Sequence, residues 1–138
     1  MFEIKIMSQR QLISSGTKWE NQIGYSRAVK VGNLIEISGT TSVDGDQIIG
    51  KGNVYEQTKF IFQKIEKALQ QLGCGMKDVV RTRMYVTDIS KWEEIGKAHA
   101  EFFSKIKPAA TMVEIKSLID PELLIEIEVT AFLTERVN

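Results

Sequence analysis

Two runs near the C-terminal end limit this chain's folding choices most. They are Lys107-Pro108-Ala109-Ala110-Thr111-Met112-Val113-Glu114-Ile115 and Leu123-Leu124-Ile125-Glu126-Ile127-Glu128-Val129. Both alternate apolar with polar or small residues, the two-residue period of a strand that sends successive side chains to opposite faces. In the second run the alternation sets Ile125, Ile127 and Val129 against Glu126 and Glu128. In the first it sets Val113 and Ile115 against Ala110, Met112 and Glu114. A carboxylate in a half-buried sheet row is either paired or chemically engaged, because an idle desolvated charge costs too much.

The rest of the chain reads as a scaffold for these rows. Residues 2–6 alternate and predict a short first strand. Residues 10–21, rich in Ser, Gly and Gln, predict a loop with Trp19 as its packing anchor. Residues 25–31 and 34–39 flank Gly32-Asn33 and predict a β-hairpin, followed by a polar loop to Gly52. Val54, Thr58, Ile61, Phe62, Ile65, Ala68, Leu69 and Leu72 form one helical stripe that ends before Gly73 and Gly75. Residues 78–86 predict a strand. Ser90 predicts the N-cap of a second helix over 91–103, with Trp92, Ile95, His99, Phe102 and Phe103 on its buried stripe. Pro108 stops helical structure before the two final strands.

Two helical stripes need one apolar sheet face, which Ile35, Ile37, Val113, Ile115, Ile125, Ile127 and Val129 can supply. The expectation is an α+β two-layer sandwich: one domain over residues 1–138, a mixed sheet, and both helices on one face. The opposite face would carry Glu36, Ser38, Arg81, Met84, Met112, Glu114, Glu126 and Glu128. A face that mixes methionine with charges predicts cover by another copy of the chain.

Composition narrows the function classes. Eighteen basic residues balance eighteen acidic ones, so no excess is available for a phosphate backbone, which argues against nucleic acid as a partner. The lone Cys74 excludes an intrachain disulfide and fits a reducing compartment. The N-terminal residues do not read as a signal peptide and no apolar run suffices for a bilayer crossing, which predicts a cytoplasmic protein with no membrane partner. One histidine and one cysteine offer no metal site, and the glycines at 45, 50 and 52 lack phosphate-loop spacing, so no cofactor is expected.

An ordered set of short motifs then carries a resemblance. Gly24-Tyr25-Ser26-Arg27-Ala28-Val29, Ile37-Ser38-Gly39-Thr40, Asp78-Val79-Val80-Arg81-Thr82, Val86-Thr87-Asp88, Glu101-Phe102-Phe103, Lys107-Pro108-Ala109 and Ile125-Glu126-Ile127-Glu128 resemble the RidA/YjgF family, also called the L-PSP endoribonuclease family. The match runs from Gly24 to the end. It implies a chorismate-mutase-like fold and a homotrimer with a cleft between each pair of subunits. In the best-known branch those clefts hydrolyse enamines and imines such as 2-aminoacrylate to 2-keto acids and ammonia.

Carried over residue by residue, the resemblance assigns Glu126 to the hydrolytic water, and Tyr25, Ser38, Gly39 and Thr40 to the pocket lining. Ala110 and Met112 occupy pocket positions where that branch has arginine and cysteine, and Gly96 replaces a helix asparagine. The missing arginine matters most. It clamps the substrate carboxylate with two charge-assisted hydrogen bonds. Its loss costs roughly 2–5 kcal/mol, about a hundredfold or more in rate. The chain is therefore not expected to be an efficient 2-aminoacrylate deaminase unless Arg27, Arg81 or Arg83 reaches the cleft instead, and it resembles the arginine-lacking branches of the family.

Each candidate has a plainer reading. Glu126 is open to a catalytic role or to a structural ion pair. Glu114 and Glu128 read as interface ion pairs with Arg81 or Arg83. Tyr25 is open to ligand contact or packing. His99 reads as packing, and Trp19 and Trp92 as packing rather than base stacking. Cys74 has no thiolate stabiliser in sequence and is not expected to be a nucleophile. Three functions compete. The first is a trimeric hydrolase of a small imine or enamine, of the 2-iminobutanoate/2-iminopropanoate deaminase kind. The second is a trimer that binds a small metabolite without turning it over. The third, ranked last, is an endoribonuclease.

Overall fold

The computed structural model describes residues 10–134, so the strand expected over residues 2–6 lies outside the described residues. The hairpin forms as its turn residues dictate. Strands β1 (Arg10–Ile13), β2 (Ala28–Val31) and β3 (Leu34–Thr40) run antiparallel, and Gly32, at φ 59°, supplies the left-handed residue between β2 and β3. A small second hairpin, β4 (Val43–Asp44) with β5 (Gln47–Ile48), occupies part of the expected polar loop.

The loop expected over residues 10–21 is instead strand β1 followed by helix α1 (Lys18–Ile23). Its anchor is not Trp19, which is 46% exposed, but Glu20, which is buried. The Glu20 carboxylate accepts from Ser14 Oγ at 2.8 Å and from the Ser15 amide and hydroxyl. Burial opposes its ionisation, but the hydrogen bonds from Ser15 and Ser14 outweigh this and hold its pKa below the usual carboxylate value. Serine-rich composition is what a loop looks like, and it conceals hydroxyls that converge on one acid.

Helix α2 (Val54–Gln71) begins at Asn53, whose side chain accepts from the Glu56 amide at 3.0 Å. Every residue of its expected stripe is buried. Gln57, outside that stripe, is buried too. Its amide donates to Gly50 O and Glu122 O and accepts from Leu124 N, tying two loops together. Strand β6 (Val79–Val86) precedes helix α3 (Trp92–Phe103). Ser90 does not cap α3. Asp88 Oδ1 accepts from the Ser90 amide and hydroxyl, holding a short turn over Ile89–Lys91 that delays the helix start. Trp92, at the first position of α3, is exposed rather than on the buried stripe.

Strands β7 (Ala109–Glu114) and β8 (Ile125–Phe132) complete a six-stranded sheet ordered β1-β2-β3-β8-β6-β7. All neighbours are antiparallel except β6 and β7, which the α3 connection makes parallel. One core joins α2, Ile95 and Phe103 of α3, and Ile35, Ile37, Ile125, Ile127 and Val129 of the sheet. The sheet is mixed and both long helices lie on one side of it. Burying each large aliphatic or aromatic side chain there contributes about 1.5–3 kcal/mol.

β7 turns the other way round from expectation. Its register pairs Ala110 with Thr82, Met112 with Met84 and Glu114 with Val86, all on the helix-facing side. Met84 is buried and Met112 packs on the core, whereas Val113 is exposed on the outer face. With Ala109, Ala110 and Thr111 all small, the alternation of β7 does not fix which row goes inward, and pairing with β6 decides. Within the chain the Glu114 carboxylate has a backbone partner. It accepts from the Ile89 amide at 3.0 Å.

Candidate functional site

β3 carries one extra residue against β8. Ile37 pairs with Val129 and Thr40 with Ile127, three steps on β3 against two on β8. This bulge puts Gly39 under the Glu126 side chain. A Cβ on Gly39 would lie 2.6 Å from Glu126 Oε2 and 2.9 Å from its carboxyl carbon. The glycine therefore makes room for the carboxylate. Glu126 itself is half-buried, and burial raises its pKa above the usual carboxylate value. Arg27 opposes that rise and Glu128 adds to it.

Arg27 reaches the same place from the residues just before β2. Its Nη2 donates to Gly39 O at 2.8 Å, and the guanidinium stands 6.0 Å from the centre of the Tyr25 ring. Its Nε is buried with no hydrogen-bond partner. Lys64, from α2, donates to Thr41 O at 3.0 Å and Val43 O at 2.8 Å. Burial lowers the Lys64 pKa to about 8. Arg27 adds to this effect and Asp44 works against it. Glu126, Gly39, Tyr25, Arg27 and Lys64 all line one broad open groove of about 1540 Å³.

Of the expected site residues, the fold thus brings Glu126, Gly39 and Tyr25 to one groove. Ser38 adjoins them, but its hydroxyl is committed to Ser26 O at 2.6 Å. Thr40 is buried, and its hydroxyl donates to Ser38 O rather than lining the groove. Ala110 and Met112 sit on β7, beyond β6, so about two strand spacings, or 10 Å, separate them from β8. Lys64 escaped the sequence reading because it lies off the apolar stripe of α2 and looks like a solvated helix residue. Arg27 was legible only as one of three arginines.

The other acids and the histidine have structural partners. Glu128 accepts from the Tyr85 hydroxyl at 2.9 Å and lies 3.8 Å from Arg83 Nε, an ion pair within one chain. Arg81 donates to Thr111 Oγ1. His99 Nε2 lies 2.9 Å from Thr82 Oγ1, its ring against Phe62 and Phe103, and burial lowers its pKa. Cys74 is buried. Among the described residues no group of three or more His, Cys, Asp or Glu side chains is placed to hold a metal, and no helix is long and apolar enough to cross a membrane.

Against known proteins, residues 17–133 match the family model described as Endoribonuclease L-PSP. The chain belongs to the RidA/YjgF family. Its fold is similar to the crystal structure of a YjgF/YER057c/UK114-family member from Mycobacterium tuberculosis, with a TM-score of 0.82 and 46% identity over 91% of this chain and 100% of that one. The sequence is 35% identical to an uncharacterised protein of Streptomyces coelicolor, over 87% of this chain and 90% of the relative. It is 29% identical to the 3-aminoacrylate deaminase RutC of Acinetobacter baylyi, over 75% of this chain and 82% of that protein.

Proposed function

We propose that this RidA/YjgF-family chain hydrolyses the C–N bond of a small imine or enamine, with Glu126 as the group that handles water. The observation that carries this reading is the half-buried Glu126 carboxylate, lodged over Gly39 at the edge of an open groove, with its pKa raised by burial. A carboxylate in that state takes a proton from water more readily than an exposed one. Water oxygen would bond to the imine carbon while Glu126 passes the released proton to the nitrogen. Collapse of the resulting carbinolamine would then break the C–N bond. The hydroxyl proton moves to the leaving nitrogen, again through Glu126, to give a carbonyl product and ammonia. The relative named 3-aminoacrylate deaminase supports this reaction class.

The working unit on this reading is a homotrimer in the cytoplasm. Leu34, Val80, Val113 and Phe132 are exposed on the strands, among the charges of Glu36, Arg83 and Glu128, a surface suited to a second copy of the chain. Ala110 and Met112, remote from Glu126 within one chain, would then wall the groove of a neighbour. The groove's mixture of Lys18, Arg27, Lys64 and Lys67 with Asp44, Asp46, Glu66 and Asp120 favours a small metabolite over RNA.

The test is Glu126→Gln, assayed on 2-aminoacrylate generated enzymatically, with oligomeric state followed by light scattering. Loss of turnover with an intact oligomer supports catalysis. Unchanged turnover, or loosening of the oligomer as the sole effect, refutes it.

A further inference from the structure

The arginine that clamps the substrate's carboxylate in the best-known branch of the family has no counterpart at Ala110, yet two of the groove's cations converge on the backbone between Gly39 and Val43. We propose that Arg27 and Lys64 together form a carboxylate-binding subsite beside Glu126, so that the anion clamp of this chain sits on the β2–β3 side of the groove and not on β7. The inference rests on the groove being the ligand site, but not on turnover there.

Three observations carry it. First, both cations converge on one short stretch of backbone: Arg27 on Gly39 O, and Lys64 on Thr41 O and Val43 O. Carbonyl oxygens position the two heads but do not neutralise them. Second, the guanidinium has five N–H donors, and among the described residues the only protein acceptor it reaches is Gly39 O. Its Nε is buried without a partner, and no ion pair joins the group to Glu126 or Glu20 among the described residues. The guanidinium thus keeps N–H donors that no protein group among the described residues satisfies. Third, two like charges held in one groove repel each other, and burial together with Arg27 already pulls the Lys64 pKa down. An incoming carboxylate would relieve both the repulsion and the unmet donors. Asp44 beside Lys64 and Glu126 beside Arg27 offset the repulsion only in part, since burial and Arg27 still hold the Lys64 pKa at about 8.

The placement sets specificity. A carboxylate gripped by Arg27 lies next to Gly39, and the Glu126 carboxylate lies over that same residue. The reacting carbon should therefore be adjacent to the anionic group, as in a 2-imino acid.

The test is equilibrium binding of pyruvate to the full chain in its native oligomer, read by calorimetry or ligand-observed NMR. Pyruvamide serves as the uncharged comparison. Wild-type protein should bind pyruvate about tenfold or more tightly than pyruvamide. Arg27→Gln should weaken pyruvate about tenfold and leave pyruvamide nearly unchanged, and Lys64→Met should weaken pyruvate about threefold. Should Arg27→Gln fail to fold, the wild-type discrimination between the two probes decides alone. Absence of pyruvate binding, equal affinity for both probes, or wild-type affinity in a folded Arg27→Gln protein would overturn the inference. Binding is read on wild type and on the Arg27 and Lys64 variants, with no turnover assay. Loss of catalysis and loss of the clamp are thus read separately, and an inactive protein that still discriminates the probes refutes the function proposed above but not the subsite.

Discussion

The groove where β3 meets β8 and the β7 edge make an instructive pair. The groove gathers Glu126, Arg27 and Lys64 around one stretch of backbone, and each is half-buried or carries a shifted proton affinity or an unmet donor. The β7 edge presents Ala110 and Met112, with Thr82 and His99 bonded to each other behind them. Nearly all the ionisable chemistry of a prospective site has collected on one half of the sheet. The other half offers shape and apolar contact. Alanine at position 110 therefore does not leave Glu126 without a cationic neighbour, since Arg27 stands beside it.

The largest expected effect tests the first half of that contrast. Glu126→Gln should lower turnover about 10²–10⁴-fold, measured by ammonia release. Its stability should move the other way. Burial raises the folded-state pKa of Glu126, so the folded protein binds its proton more tightly than the unfolded chain. The charged form is thus a net cost above that pKa, and stability falls as pH rises through the window from the ordinary value of 4.5 upward. The glutamine variant should melt slightly higher than wild type at pH 7, with that pH dependence removed. The acid limb of the wild-type rate profile should lie above pH 4.5 for the same reason.

Gly39→Ala comes next. The three atoms nearest its new Cβ all belong to the Glu126 side chain, so the carboxylate should swing aside at little cost to folding. Turnover should drop about 10–100-fold, since small misplacements of a catalytic group are expensive, while Tm moves by no more than a few degrees.

A smaller effect concerns charge. If Lys64 helps to bind the anion, affinity for pyruvate should decline as pH rises through about 8, where Lys64 loses its proton. The charged groups around it are Arg27 and Asp44. Lys64→Met should flatten this dependence. The smallest effect should come from the depleted half. Ala110→Arg should alter pyruvate affinity by less than about threefold while Arg27 is present, because the anion already has a clamp. A tenfold gain would mean that the two walls do not divide the work as described.

Much of the architecture was legible from residue order. The stripe of α2 and the Ile-Glu-Ile-Glu alternation of β8 have periods that admit one reading each, and both are in place. β7 failed because Ala-Ala-Thr-Met has no strong contrast between its two rows, so the neighbour's register chose the face. Helix α1 failed because the sequence shows Ser14, Ser15 and Thr17 as polar residues and not as donors to a single buried acid. For the site, motif likeness pointed to Glu126, Gly39 and Tyr25, which the fold brings to one groove. It placed Thr40 in the lining because strand alternation carries no sign of a bulge. Lys64 needed three dimensions, since nothing in a helical lysine's sequence context tells which backbone carbonyls it will meet.

The extra residue in β3 has a further consequence for how this chain can vary. Ile37 and Thr40 are both buried although three positions apart, which an unbroken two-residue rhythm forbids. Length at this spot is therefore more tightly held than identity. Exchanging Ser38 for another small residue would disturb one hydroxyl. Deleting a single residue between Ile37 and Thr40 would leave both facing inward on a regular ladder, but it would remove the bulge that seats Gly39 beneath Glu126. Relatives that share this carboxylate should thus differ freely in spelling here but rarely in count.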